Sequence, residues 1–89
     1  MTGAARERLI KFSNSVLTDN KWAVERYLYL NHEKTRRLTV GKTLVEGKPM
    51  LYVIAQIQNG FSWYTDQMFF ARNAEKVVET IQKMWQWLR

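Results

Sequence analysis

Residues 50–71 read MLYVIAQIQNGFSWYTDQMFFA, and the way this stretch folds decides the architecture of the chain. Leu51, Val53, Ala55 and Ile57 alternate with Tyr52, Ile54, Gln56 and Gln58. A period of two places the two sets on opposite faces of a strand. Asn59-Gly60 follows, the strongest short hairpin signal in the chain, because glycine accepts the positive φ that a tight turn needs. Phe61 to Ala71 then returns as a second strand. A competing reading makes Asp66 the cap of a helix whose seam runs through Phe70, Ala74, Val77, Ile81, Met84 and Leu88. The strand is preferred for residues 66–72. Adjacent phenylalanines and the run Trp63-Tyr64-Thr65 favour β structure, and Arg72-Asn73-Ala74-Glu75 reads as a helix start.

Working outward, two more strands precede this hairpin. In Trp22 to Asn31, Val24, Leu28 and Leu30 share one face, and Glu25, Tyr27 and Tyr29 the other. Asn31-His32-Glu33-Lys34 is a turn. In Arg36 to Val45, Leu38, Val40 and Leu44 face one way, and Arg37, Thr39 and Thr43 the other. Glu46-Gly47-Lys48-Pro49 is a tight connection, with a glycine free to take positive φ and a proline unable to donate to a ladder. Residues 4–17 form a helix capped by Thr2, with Ala5, Leu9, Phe12 and Val16 on its apolar stripe, and Thr18-Asp19-Asn20-Lys21 ends it. Asn73 to Arg89 form a second helix, with Asn73 as cap and Glu75 complementing the dipole. Its stripe is Val77, Val78, Ile81, Met84, Trp85 and Leu88, which should cover one face of the sheet. The expected fold is α+β in the order αββββα: an N-terminal helix, a four-stranded antiparallel meander and a C-terminal amphipathic helix packed on the sheet. Residues 1–89 are expected to form a single domain.

Composition narrows the function. Fourteen Lys and Arg stand against eight Asp and Glu, for a net charge of +6. Four Trp, four Tyr and four Phe supply rings. There is no Cys and one His, so neither a disulfide framework nor a thiolate metal site is available. His32 lies in a turn without a positioned partner, and Ser13, Ser15 and Ser62 lack a nucleophile-elbow context. Gly3, Gly41, Gly47 and Gly60 form no phosphate-binding loop. No catalytic residue, metal site or cofactor is therefore expected. No signal peptide opens the chain and no run reaches the ~20 apolar residues of a membrane span, so a cytoplasmic protein with no membrane role is expected, nucleoid-associated if it binds DNA.

A basic, ring-bearing sheet is suited to nucleic acid, DNA or RNA, with single strands favoured. Lys34, Arg36, Arg37, Lys42 and Lys48 lie in the second hairpin region and are the candidate phosphate contacts. Arg36 and Arg37 together suit bidentate phosphate binding. Tyr27, Tyr29, Tyr52 and Trp63 are the candidate stacking rings, since their faces point away from the helix-covered side. The opposing reading makes that face a second core or an interface, with the N-terminal helix over it. Trp87 falls off the apolar stripe of the last helix, beside Lys76 and Lys83, and these three are a candidate protein interface. A homodimer is expected. The alternative function is a small protein-interaction module, a regulator or inhibitor that meets an acidic partner, of the sort phages and mobile elements encode.

Overall fold

The computed structural model describes residues 2–21, 23–29 and 33–83, the side chain of Tyr29 excepted. The elements are α1 (Gly3–Leu17), β1 (Val24–Tyr29), β2 (Arg36–Val45), β3 (Lys48–Asn59), β4 (Ser62–Ala71) and α2 (Ala74–Lys83). The four strands form one open sheet in the order β1-β2-β3-β4, every neighbour antiparallel. The αββββα order expected from the sequence is therefore the order observed. Residues 66–71 extend β4, pairing with β3 up to Leu51 opposite Ala71. The helix starts beyond them because Asn73 caps it: its Oδ1 accepts the N–H of Lys76 at 3.0 Å. At the other end Thr2 caps α1, its Oγ1 accepting the N–H of Ala5 at 3.1 Å.

The turns are tighter than their sequences suggest. Glu46 and Gly47 both take positive φ, 52° and 78°, the pattern of a two-residue type I′ turn. Lys48 and Pro49 consequently belong to β3, with Pro49 opposite Leu44. At the next hairpin only Gly60 has positive φ, at 65°, and Asn59 pairs with Ser62. That is the pattern of a type II′ turn, with glycine at its first central position and Phe61 at its second. Phe61 is thus lifted out of the strand and stands fully exposed at the tip.

One face of the sheet carries the core. Leu38 and Val40 of β2, Leu51, Val53 and Ala55 of β3 and Ala71 of β4 meet Leu9 and Val16 of α1 and Val77, Val78 and Ile81 of α2. Period-two strands and period-3.6 helices each present one apolar side, and the two sides close on each other. Phe12 packs partly buried beside them. Leu44 belongs to the same face but lies near the strand's end and remains 47% exposed. Met84, Trp85 and Leu88, expected to extend the stripe of α2, lie outside the described residues. Both helices sit side by side on this face. Neither described helix covers the opposite face, which decides where a site can be. No helix among the described residues is long and apolar enough to cross a membrane.

Candidate functional site on the open face

The pairing register arranges the open face in rows that cross the strands. Glu25, Gly41, Tyr52 and Phe70 make one row, and Tyr27, Thr39, Ile54 and Met68 the next. Arg37, Gln56 and Thr65 follow, and Gln58 opposite Trp63 completes the face near the β3–β4 turn.

The first row is closed by its own side chains. Gly41 has no Cβ, and a Cβ there would fall against the far end of the Tyr52 ring. The ring uses that gap to lie across β2, and its hydroxyl donates to Glu25 Oε1 at 2.6 Å. Tyr52 is only 8% exposed. Burial, then the hydrogen bond to Glu25 and its charge, push the phenol well above the usual tyrosine range. The expectation that Tyr52 is a free stacking ring is corrected: it is the buried lid of Gly41, tied to β1.

The second feature is a layered cluster. The Arg37 guanidinium carbon lies 4.1 Å from the centre of the Tyr27 ring and 4.1 Å from that of Trp63. Arg37 thereby bridges β1 and β4 across the two central strands. Its Nε donates to Gln56 Oε1 at 2.7 Å, and Thr39 Oγ1 donates to the same oxygen at 3.0 Å. Gln56 therefore fixes the cation in a plane, and the quadrupoles of the rings favour its charge. Among the described residues no carboxylate pairs with Arg37. Tyr27 is 52% exposed, and Trp63 is half-buried.

The five candidate phosphate contacts do not form one patch. Lys42 is 5% exposed and belongs to the helix-covered face. Its Nζ donates to the carbonyl oxygens of Leu17 and Asp19, where α1 ends and leaves acceptors unpaired. Lys42 is thus a structural cap and is withdrawn from the surface. Arg36 and Arg37 alternate, so only Arg37 is on the open face, and the expected joint grip on one phosphate does not form. Lys48 belongs to the far end of the sheet. It lies eight residues along β3 from Gln56, the partner of Arg37, on the order of 27 Å away. Lys34 is exposed just before β2, at the same end as Arg37, with a φ of 58°. What gathers, therefore, is Lys34, Tyr27, Arg37 and Trp63, with Phe61 at the adjoining tip and Arg36 behind. Tyr29 pairs with Arg37 in the ladder, but its side chain lies outside the described set.

Of the proposed helix interface, Trp87 lies outside the described residues. Lys76 pairs with Glu79 on the exposed side of α2 at 3.0 Å. Lys83 lines a shallow depression with Thr80, Gln67 and Phe69. His32 is outside the description, and no three His, Cys, Asp or Glu among the described residues gather as metal ligands.

Sequence reading missed Gln56, Glu25 and Gly41. Their signal was positional: each shares a cross-strand row with a ring or cation already singled out, which becomes visible once the register is known. It also missed the exposed apolar run of β4, where Tyr64, Met68, Phe69 and Phe70 all reach solvent. Comparison with known protein families, with characterised proteins and with solved structures finds no match to this chain.

Proposed function

We propose that this protein is a non-catalytic module that binds single-stranded nucleic acid at the Tyr27–Arg37–Trp63 end of its open sheet face. The observation that carries the reading is Arg37: a guanidinium held flat between two rings by Gln56, with its charge unpaired by any described carboxylate. Both faces of that guanidinium are taken by rings, so its remaining N–H edge is what can donate to a phosphate, and Tyr27 keeps half its surface for stacking. Lys34 supplies a second cation at the same end, and the +6 net charge steers polyanions toward the molecule. Rings without a matching row of base-edge donors suit sequence-tolerant binding. In this reading the protein works in the cytoplasm, at the nucleoid if its ligand is DNA.

The test is fluorescence anisotropy with labelled single- and double-stranded oligonucleotides at low and moderate salt. Binding to single strands should weaken with salt at a log–log slope of roughly −0.7 per phosphate contact. Arg37→Ala should reduce affinity roughly tenfold or more, given about 1.5–3 kcal/mol for a hydrogen bond to a charged group. Lys48→Ala, at the far end of the sheet, should leave affinity near wild type. Binding that ignores salt and Arg37 sinks the reading.

One observation favours a second reading, a protein-interaction module that regulates or inhibits a larger protein. Phe61, Tyr64, Met68, Phe69 and Phe70 are exposed along a single edge, and apolar surface of that kind marks association. Capture of an acidic partner that survives nuclease treatment would support it.

A further inference from the structure

We infer that the β4 edge pairs with β4 of a second copy, in antiparallel register about a two-fold axis at Phe69, giving a continuous eight-stranded sheet. The inference rests on the edge itself and does not depend on the nucleic-acid reading.

β4 is one of the two free edges of the sheet. Its ladder with β3 shifts between Ala55, which pairs with Gln67, and Gln56, which pairs with Thr65. Asp66 is the extra residue of this bulge, and bulges bend a strand and interrupt its edge. The regular part of the edge is therefore Gln67 to Ala71. Five uncharged residues, Gln-Met-Phe-Phe-Ala, lie between Asp66 and Arg72. An edge usually carries lysine, proline or inward charge to discourage pairing, and this segment has none.

The segment is symmetric about Phe69 in length and antisymmetric in charge. Antiparallel self-pairing sets residue i opposite residue j with a constant sum. A two-fold at Phe69 is the one such register that sets Asp66 opposite Arg72 of the second copy, and it does so twice. Paired residues share a face, so Met68 meets Phe70 of the second copy on the open face, and Phe69 meets its own counterpart on the helix side. These are the side chains left in solvent: Met68 is 50% exposed, Phe70 58% and Phe69 38%. Arg72 is exposed, and among the described residues the hydrogen bond to the Asp66 carboxylate is a long one from the Gln67 amide, at 3.3 Å. Both charges are thus at hand for a partner. A self-complementary patch of this kind fits an isologous contact between identical chains; an unrelated protein has no reason to require charge antisymmetry about one residue.

The pairing has a geometric consequence. Because paired residues share a face, the two open faces look the same way, and the dimer presents two Tyr27–Arg37–Trp63 clusters on one side.

Sedimentation equilibrium of the full chain tests the inference, across a range of protein concentrations. The wild type should show twice the monomer mass. Asp66→Arg and Arg72→Asp should each weaken association roughly tenfold, since each places two like-charged pairs across the axis. The double variant D66R/R72D should return association to near wild type. Met68→Lys, at an exposed position, should yield monomer with an unchanged circular dichroism spectrum at about 25 °C, and with a melting temperature that no longer rises with protein concentration as that of the wild type should. A wild-type chain that stays monomeric, the result expected if β4 serves a different protein, overturns the inference. So does a dimer indifferent to Met68→Lys, or single reversals that the double variant does not rescue. Arg37→Ala should leave the mass unchanged, so failure of this inference and failure of the nucleic-acid reading are seen in separate experiments.

Discussion

The two edges of the sheet are built on opposite plans. β1 is six residues long and carries two charges and two rings: Glu25 accepts the Tyr52 hydroxyl on the open side, and Arg26 meets Asp19 at 3.1 Å on the other. The Asp19 carboxyl is held below the usual carboxylate range by the N–H of Lys21, with Arg26 adding to the effect. Lys42, opposite Val24, ties the same edge to the end of α1. β4 is ten residues long, carries a single charge and exposes Tyr64, Met68, Phe69 and Phe70 to solvent. One edge is closed by polar ties within the chain, and the other is left open. An edge that invites pairing is a liability that sequences normally blunt, so its survival on one side alone points to use.

Substitutions can break this contrast, and the largest effect belongs to the closed edge. Lys42→Ala should lower the unfolding free energy by about 2–3 kcal/mol, because it deletes charged hydrogen bonds to the carbonyls of Leu17, at the end of α1, and Asp19, just beyond it. Denaturant titration measures this, and Lys48→Ala, a few residues away on the surface, should stay within about 0.5 kcal/mol. Equal losses for the two lysines would deny Lys42 its capping role.

Gly41→Ala comes next, at roughly 1–3 kcal/mol, since the added methyl displaces Tyr52 and its bond to Glu25. The same tie shows in alkali. The folded phenol titrates above the unfolded value of 10.0, so its contribution is fully present below about pH 10 and is lost as pH rises further. An ultraviolet titration should therefore find one of the four tyrosines resisting ionisation until the protein unfolds. In Gly41→Ala that delay should disappear; if it persists, Tyr52 is not the tyrosine responsible. The smallest effect belongs to the open edge. Phe70→Ser should change monomer stability by no more than about 1 kcal/mol, since Phe70 is already 58% exposed. A large loss would mean that β4 is closed within the chain after all.

Much of the fold was legible because local signals agreed. The alternation of Leu51 to Gln58, the Gly60 turn, the Thr2 and Asn73 caps and the α2 stripe through Ile81 each pointed to the element that forms. The site was less legible. Alternation told that Tyr52 and Arg37 share the open face, but not that Gly41 would let one ring lie down and bury itself. Lys42 sat in a run of cations, and only the return of α1 over the sheet shows it facing two carbonyls. Arg36 and Arg37 are adjacent in sequence and opposite in space, which the period of two already required. Exposure of the β4 edge depends on strand order, and no single strand's sequence carries that information.

The most direct measurement is a map of backbone nitrogen–proton shifts as a short single-stranded oligonucleotide is added to the full chain. The account predicts shifts at Tyr27, Lys34, Arg37, Gln56 and the Trp63 indole, with Lys48 and Gln67–Ala71 unmoved. Shifts centred on Gln67–Ala71 or on the Lys48 end, or no shifts at all, would contradict it.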